Sequence, residues 1–448
     1  MKKYDSYKDS GIEWIGEIPS HWKNTRIKFT VKEEDSLFID GDWIESKVIT
    51  EDGIRYITTG NVKVGYYSEQ GNGYISPQTF LDLNCTEVFE GDLIISRLNN
   101  PIGRACIVPN LNSRIVTSVD NVIYRPDSNL NKRFLLHLFS SKEYFEHTEL
   151  ISRGATMQRI SRGMLGNLKI PLPDIEEQTA IANYLDYKTT QIDDLIAKKE
   201  RLIQLLEEER TAIINQAVTK GLDPTVPMKD SGIEWLGEIP AHWFLVPVKR
   251  VIEVRDGTHD TPEYVQNELI SYPLITSKDF DGEEINFSNA KMISESDHKA
   301  ISKRSGVKSG DVLMSMIGGN IGKSLIIGNR DNFSIKNVAL FMTRDNVFLA
   351  KYLRYYFDSG LLSKQIELKS RGGAQGFLSL GDIRNLIFFK FDSEELKIII
   401  DYLDKKTTET SNVISKTQHE IELLKEYKTA LISEVVTGKV DVREEKLS

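Results

Sequence analysis

Two long segments of the chain carry apolar residues at helical spacing and contain neither glycine nor proline. They cover residues 174–220 and 393–437, and a glycine follows each of them. Asp174 can cap the first segment, with a glutamate at the capping-box position, and Ser393 precedes two glutamates in the second. These signals predict two helices of about 45 residues, each roughly 65 to 70 Å long at 1.5 Å per residue.

The apolar stripe on each predicted helix is too extensive to be left in water, so another element must cover it. We expect the two helices to pack on each other as an antiparallel pair, because the second is reached through a complete globular segment. The alternative is two separate core helices, although globular helices usually run roughly 8 to 20 residues. The stripe residues are Ile192, Leu195, Ile196, Leu202, Ile203, Leu205, Leu206, Ile213, Ile214 and Ala217 in the first segment and Val413, Ile414, Ile421, Leu423, Leu424, Leu431 and Val435 in the second.

The segments outside the helices have a different pattern. Residues 122–126 (VIYRP) and 385–391 (NLIFFKF) have the composition of β-strands, and Gly, Asn and Pro turns punctuate the sequence around them. The pattern therefore predicts a mixed α/β (α+β) fold. The predicted divisions are a globular domain at 1–173, a central helix at 174–223, a second globular domain at 224–392 and a C-terminal helix at 393–448.

An internal repeat organises the whole sequence. Residues 8–22 (KDSGIEWIGEIPSHW) recur at 229–243 (KDSGIEWLGEIPAHW), with 13 identities in 15 positions. Further matches at nearly the same offset join GDLIISRLNNPIG (91–103) to GDVLMSMIGGNIG (310–322), SRGATMQRISRGMLGNL (152–168) to SRGGAQGFLSLGDIRNL (370–386), and YLDYKTT (184–190) to YLDKKTT (402–408). The chain is thus a tandem duplication of about 220 residues per half.

The net charge changes meaning once it is divided along the repeat. The 448 residues hold 57 basic and 66 acidic side chains, and the resulting charge of −9 argues at first against a polyanionic partner. Residues 174–223 and 393–448 carry −5 and −3, so the globular domains are almost neutral. Residues 150–173 contain four basic and no acidic side chains. Such local clusters favour phosphate contact, with ordinary solvated surface charge as the alternative. Similar clusters are Lys299, Lys303, Arg304 and Lys308, and Lys364, Lys369 and Arg371.

Motifs of catalytic sites are missing from the sequence. Residues 318–324 (GGNIGKS) end like a P-loop, but Ile317 stands where that motif requires a glycine. There is no HExxH, no GxSxG, and no Pro-Pro pair of the kind needed by motifs that methylate DNA bases. The two cysteines have no metal-ligand spacing, and the histidines beside the repeated tryptophans are expected to be structural. Without a signal peptide or a membrane span, the protein is predicted to be cytoplasmic.

The repeated SGIEWxGEIPxHW blocks, the GDxxxS…IG block, and the SRG…LS…NL segment before a long capped helix with YLD occur in the same order in both halves. Over the whole chain this order resembles the specificity subunit (HsdS) of type I restriction-modification systems. The resemblance implies two target-recognition domains, each reading one half of a bipartite double-stranded DNA sequence, separated by an antiparallel two-helix coiled coil. It also implies a non-catalytic chain.

The resemblance further implies partners and DNA-facing residues. Two modification (methyltransferase) subunits would bind S-adenosylmethionine, restriction subunits would bind ATP and Mg, and this chain would hold no cofactor. The family often has a Gln before the Ile/Leu-Ser pair; Gln375 keeps it, whereas Met157 departs from it and has Gln158 beside it. The DNA-facing candidates are Arg97, Arg104, Arg153, Gln158, Arg159, Arg162, Lys323, Lys369, Arg371 and Gln375. Arg and Lys would hold phosphates or guanine edges, and Gln could pair with adenine.

Two other functions are compatible with the residues alone. A pseudo-symmetric coiled-coil scaffold could bind proteins without reading DNA. A nucleotide-hydrolysing enzyme could use Lys323, although its motif has the wrong spacing.

Overall fold

The computed structural model describes residues 2–71, 73–154, 158–265, 270–330, 332–369 and 377–445. The chain forms two compact units. Unit 1 comprises Met1–Glu200 with His419–Ser448, and unit 2 comprises Arg201–Gln418. Each unit therefore contains one globular domain and parts of both long helices.

Unit 1 is a mixed α/β structure. Its strands are β1 (Tyr7–Asp9), β2 (Glu17–Pro19), β3 (Lys23–Arg26), β4 (Leu37–Asp40), β5 (Ile49–Thr50), β6 (Ile54–Ile57), β7 (Tyr74–Ile75), β8 (Leu93–Ser96), β9 (Ala105–Ile107), β10 (Ile115–Thr117), β11 (Asn121–Arg125) and β12 (Lys169–Leu172). Its short helices are α1 (Pro77–Asp82), α2 (Lys132–Leu138), α3 (Lys142–Ile151) and α4 (Arg162–Asn167), and the first long helix is α5 (Ile175–Lys220). The sheets have the orders β4-β11-β8-β9, β10-β6-β7-β5, β12-β3 and β1-β2.

Unit 2 repeats this plan with a smaller second sheet. Its strands are β13 (Met228–Asp230), β14 (Glu238–Pro240), β15 (Phe244–Pro247), β16 (Val254–Asp256), β17 (Ser271–Ile275), β18 (Phe280–Asp281), β19 (Glu284–Ile285), β20 (Lys291–Ser294), β21 (Val312–Ser315), β22 (Ser324–Ile326), β23 (Ser334–Ile335), β24 (Val338–Phe341) and β25 (Ile387–Lys390). Its helices are α6 (Glu295–Arg304), α7 (Val347–Asp358), α8 (Gly360–Lys369), α9 (Leu380–Arg384) and the second long helix α10 (Ser393–Val436). The central sheet has the order β16-β24-β21-β22, which matches β4-β11-β8-β9 strand for strand.

The matching sheets fix which residues of the two units are equivalent. Both sheets are antiparallel throughout. In unit 1, Asp40 pairs with Val122, and in unit 2, Asp256 pairs with Ala339. Because Val122 and Ala339 occupy the same position relative to β8 and β21, Asp40 and Asp256 end equivalent strands.

A buried aspartate stands at the start of the GDxxxS block in each unit. The carboxylate of Asp92 is 1% exposed and accepts two hydrogen bonds from the Arg125 guanidinium, at 2.8 and 2.7 Å. Asp311 is fully buried and accepts the backbone N–H groups of Thr343 at 3.0 Å and Arg344 at 3.1 Å. The Arg344 side chain adds an ion pair at 3.2 Å. The repeated sequence block therefore encodes a repeated anchor between strands.

The other repeated block attaches the start of each long helix to its domain. Trp22 and Trp243 are completely buried. Their neighbouring histidines each contact a glutamate in the first turn of a long helix: His21 Nε2 lies 2.8 Å from Glu177 Oε2, and His242 Nε2 lies 2.8 Å from a Glu395 carboxylate oxygen. The prediction that these histidines are structural is confirmed.

The helix ends follow the capping signals with one correction. Asp174 accepts the Glu177 N–H at 2.9 Å, as predicted for an N-cap. In the second helix, Asp392 rather than Ser393 has this role, because its carboxylate accepts the Glu394 N–H at 3.4 Å. Gly221, which follows the first helix, has a φ of +70°, a conformation that glycine adopts without steric cost.

The long helices are antiparallel within each unit. In unit 1, Lys428 Nζ lies 2.7 Å from Asp193, and Lys199 contacts Glu420, so residue numbers rise on one helix as they fall on the other. In unit 2, Ile214 of α5 belongs to the same buried core as residues 399–403 of α10. The predicted antiparallel pairing is confirmed.

Part of the predicted apolar stripe lies outside the helix interface. Ile192, Ile196, Ile214, Ala217, Ile421, Leu431 and Val435 are buried as predicted. Leu195, Leu202, Leu205, Val413 and Leu423 are 42 to 50% exposed, which corrects their assignment to the interface. A two-helix pair covers only one narrow seam of each helix, so a wider stripe leaves apolar residues at its border.

Candidate nucleic-acid interface

A cluster of three arginines and two aspartates lies at one end of the central sheet in unit 1. Asp40 ends β4, Arg97 follows β8, Asp120 precedes β11, and Arg159 and Arg162 belong to the segment that enters α4. We call these five residues the arginine cluster. Since the strands alternate in direction, their ends and the neighbouring loops meet at this edge, and the cluster carries one net positive charge.

The aspartates hold the arginines in fixed positions. Asp40 Oδ1 lies 3.3 Å from Arg97 Nη1, and Asp40 Oδ2 lies 3.5 Å from Arg162 Nε. Asp120 pairs with Arg159 at 2.8 Å. The side chains of Arg159 and Arg162 remain 44 and 43% exposed, so each can bind a further anion from solvent.

Arg97 has a different role from its two neighbours. It is 6% exposed, and its guanidinium also donates to the Val119 carbonyl. Burial lowers the pKa of Arg97, the nearby Asp40 and Asp120 carboxylates raise it, and the positive charges of Arg159 and Arg162 lower it. The structure therefore places Arg97 behind the exposed arginines, where it positions Asp40.

Arg104 was expected to face DNA, and the structure corrects that expectation. It is 8% exposed and donates hydrogen bonds to four backbone carbonyls, those of Thr59, Val62, Leu98 and Pro101, at 2.7 to 3.1 Å. A guanidinium with its donors used inside the protein cannot reach a phosphate. Arg104 instead holds the loop after β8 against the loop after β6.

The other sequence-predicted residues are dispersed. Arg153 is exposed, and its backbone pairs with that of Arg159 at 2.9 and 3.0 Å. Gln158 is half-buried beside this pair, and Lys323 is exposed before β22. Lys369 ends α8, where the structure describes the backbone. Arg371 and Gln375 lie outside the described residues.

Unit 2 keeps the aspartate of the cluster and changes its partners. Asp256 is 3% exposed and pairs with Arg304 of α6, whose Nε lies 2.8 Å from Oδ1. His259 Nε2 lies 2.9 Å from Asp256 Oδ2, and His259 Nδ1 lies 3.0 Å from Asn337 Oδ1. In unit 2, one arginine and one histidine thus pair with the aspartate at this end of the sheet, where unit 1 has three arginines.

The positions equivalent to the three arginines carry apolar residues in unit 2. Arg97 follows Ser96 at the end of β8, and Met316 follows the matching Ser315. The backbone bridge between residues 98 and 159 recurs between residues 317 and 377, which makes Phe377 the equivalent of Arg159. Leu380 begins α9 as Arg162 begins α4, each after a serine cap. The framework is therefore shared, whereas the side chains displayed at its edge are not.

Sequence reasoning missed Asp40, Asp256 and His259 as site residues, and it named Arg304 only as a member of a basic cluster. A signal was present, because an Asp-Gly pair stands at 40–41 and again at 256–257. The stretches around these pairs have little other similarity, so the sequence alone gave no alignment for them.

Among the described residues, no group of three or more His, Cys, Asp or Glu side chains is placed to hold a metal ion. Both cysteines are free and buried, and burial raises the pKa of Cys85 to about 11 and that of Cys106 to about 12. Both thiols are therefore protonated at neutral pH. The described helices include none with the length and apolar character needed to cross a membrane.

Comparison with known proteins agrees with the repeated framework. Residues 27–207 match the family described as the type I restriction modification DNA specificity domain. The type I restriction enzyme MjaIX specificity subunit of Methanocaldococcus jannaschii is 23% identical over 453 residues, covering 96% of each protein.

Two solved structures share the fold. A chain from a structure concerning complex assembly and conformational transition of the type I R-M system has a TM-score of 0.71 at 16% identity, covering 94% of this chain and 99% of its own length. The HsdS subunit from Thermoanaerobacter tengcongensis has a TM-score of 0.57 at 16% identity, covering 94% and 98%. The chain therefore contains, at residues 27–207, a domain that matches this family, and over nearly its full length it is similar in sequence and fold to type I restriction-modification specificity subunits.

Proposed function

We propose that the protein is the DNA specificity subunit of a type I restriction-modification complex and binds a bipartite target through its two globular domains. The observation that carries the proposal is the shared sheet framework with different side chains at equivalent edge positions. Arg159 and Arg162 in one unit correspond to Phe377 and Leu380 in the other. Two copies of one fold that present different chemistry can recognise two different half-sites.

The arginine cluster supports DNA contact in unit 1. A guanidinium that is held by a carboxylate on one side and exposed on the other is already oriented for a phosphate or a guanine edge. Arg159 and Arg162 have this geometry, since each is paired to an aspartate and more than two-fifths exposed. The proposed binding is local, which agrees with a chain whose total charge is −9.

The long helices are proposed to dock the partner subunits. Leu195, Leu202 and Leu205 of α5 are 42 to 46% exposed and are spaced seven and three residues apart, which places them on one face of the helix. An exposed apolar stripe on an acidic helix suits a protein partner better than DNA. The methyltransferase subunits are the proposed occupants, and restriction subunits join that complex. S-adenosylmethionine would be bound by the methyltransferase and ATP and Mg by the restriction subunit, so this chain contributes recognition and no catalytic step.

Sequencing the methylome of cells that express the chain with its methyltransferase partner tests the proposal. We expect methylated bases at one bipartite sequence, because both domains must be occupied before the partner acts. Cells expressing either protein alone provide the control and should show no such motif. An assembled complex that leaves no bipartite motif would contradict the proposal.

Salt dependence of DNA binding distinguishes this function from a scaffold that binds only proteins. In the assembled complex, replacing Arg159 and Arg162 together with glutamine should reduce the slope of log affinity against log salt by about 2, since two phosphate contacts are lost. The measurement is fluorescence anisotropy with duplex DNA over a range of salt concentrations.

The matched control removes two positive charges from the helices. Lys199 and Lys428 are also paired with carboxylates, and their double glutamine variant should keep the wild-type slope. Wild-type complex without salt-sensitive binding would favour the scaffold. If the wild type and the arginine variant have equal slopes of log affinity against log salt, Arg159 and Arg162 do not contact DNA phosphates.

A further inference from the structure

Trp43 is 70% exposed, an unusual position for the largest apolar side chain. It lies three residues beyond Asp40 of the arginine cluster, directly after the end of β4. Exposed aromatic rings beside arginines are typical of binding surfaces, where they supply large contact areas at low entropic cost. Neither packing nor catalysis within this chain accounts for the indole.

The backbone that presents Trp43 is closely held. A Cβ on Gly41 would lie 2.4 Å from the Ser118 carbonyl oxygen, so only glycine permits this approach of β4 to the loop before β11. The next residue is fixed on two sides: the Asp42 N–H donates to the Thr117 carbonyl at 2.8 Å, and its carboxylate accepts the Thr86 N–H at 3.0 Å. Trp43 therefore extends from an anchored position.

Unit 2 holds a different ring at the equivalent position in the same way. A Cβ on Gly257 would lie 2.0 Å from the Ile335 carbonyl oxygen, and the Thr258 N–H donates to that carbonyl at 3.0 Å. Since Gly257 and Thr258 correspond to Gly41 and Asp42, the residue equivalent to Trp43 is His259. Its imidazole is 42% exposed.

The residue that contacts His259 occupies a position equivalent to one in the arginine cluster. The exposed ring of Phe377 lies 6.4 Å from the imidazole, centroid to centroid, in an edge-on arrangement. Phe377 is 53% exposed and is the equivalent of Arg159 in the arginine cluster. In unit 2 the anchored ring thus contacts a residue at the position of a proposed DNA-contacting side chain, and in unit 1 the anchored ring follows Asp40 of the arginine cluster by three residues.

We propose that Trp43 and His259 are equivalent specificity residues, each contacting base edges of the half-site that its own domain reads. This inference rests on the proposed DNA-binding function. The indole of Trp43 offers an apolar face and one N–H donor. The two nitrogen atoms of His259 are held by Asp256 and Asn337, so this smaller ring offers its exposed face and its carbon edge. A large apolar surface suits thymine methyl groups, whereas a smaller ring held in a fixed position makes a smaller apolar contact and leaves more room for a base. The exchange of one ring for another gives the two domains different preferences on one framework.

The test uses the complex of the full chain with its methyltransferase partner. Trp43→Ala should weaken binding to the cognate duplex about tenfold or more, and it should relax the methylated motif at one or two positions of a single half-site. His259→Ala should relax positions of the other half-site only. Anisotropy gives the affinities, and methylome sequencing gives the motifs.

Phe89→Ala is the matched control. Phe89 is an exposed aromatic residue (51%) that precedes β8, at the opposite end of this strand from Arg97, so its variant should keep the wild-type affinity and motif. Because Trp43 is exposed, its alanine variant should also keep the wild-type melting temperature.

The outcomes distinguish a failure of this inference from a failure of the proposed function on which it rests. A wild-type complex that neither binds DNA nor produces a bipartite motif contradicts the proposed function. A functional wild type with unchanged Trp43→Ala and His259→Ala motifs overturns the assignment of the two rings alone. The assignment of the two rings is also overturned if each variant weakens binding to all DNA sequences equally, or if each variant alters the motif in both half-sites.

Discussion

Replacing Asp311 with alanine should lower the free energy of unfolding by about 3 to 5 kcal/mol, the range observed when one partner of a buried ion pair is removed. The Asp311 carboxylate is fully buried and accepts the N–H groups of Thr343 and Arg344 in addition to the Arg344 guanidinium. Without it, two buried donors and one cation lose their acceptor. Urea denaturation of the full chain, followed by tryptophan fluorescence, measures the effect.

Asp345→Ala is the control for this prediction. Asp345 is exposed and lies beside Arg344, so its loss should change the stability by no more than about 0.5 kcal/mol. Asp92→Ala should lower the stability of unit 1 by a similar amount, because Asp92 anchors the equivalent strand, β8, through Arg125. An Asp311→Ala protein as stable as the control would show that the repeated GDxxxS block is not a structural anchor.

Inserting four residues into each long helix should lengthen the gap between the two half-sites by one or two base pairs, if the helices set the separation of the recognition domains. Four residues add about 6 Å and a rotation of about 40° beyond one full turn. DNA turns by roughly 60° over the same distance, given 34 to 36 Å per turn. The shifted domain therefore still meets a groove in nearly the same orientation.

The insertions belong at facing positions, near residues 202–209 of α5 and near residues 410–417 of α10, because Lys199 contacts Glu420 and the two helices are antiparallel. A two-residue insertion at the same places is the control. It adds about 3 Å but rotates the following segment by roughly 200°, so it should abolish methylation instead of changing the gap. Methylome sequencing distinguishes the two results. Altered half-sites with an unchanged gap would refute the helices as a ruler.

Local signals predicted the long helices well. Asp174 caps the first helix and Gly221 follows it, because capping depends on residues adjacent in sequence. The width of the helix interface was not predictable in the same way. Leu195 and Leu202 have the spacing of interface residues and are nevertheless exposed, since the supercoil of two helices selects one seam from a broader stripe.

The site was only partly predictable, because charge on a residue does not reveal its burial. Arg104 and Arg159 are both arginines near repeated blocks, yet Arg104 is 8% exposed and bonded to four backbone carbonyls, whereas the Arg159 side chain remains 44% exposed. Asp40 and His259 belong to the site because strand pairing brings together residues that are distant in sequence. The repeat revealed the anchors Asp92 and Asp311 because structural residues stayed the same in both halves while edge residues changed.

Each globular unit is completed by helical segments from both halves of the duplication. Unit 1 needs residues after His419, and unit 2 needs Arg201 and the residues following it. A polypeptide of half this length would therefore expose a helix with no counterpart, and two identical copies could cover each other only by exchanging these segments reciprocally. The tandem duplication thus supplies in one polypeptide the segments that two identical half-length chains would have to exchange, and it leaves each half free to change independently of the other.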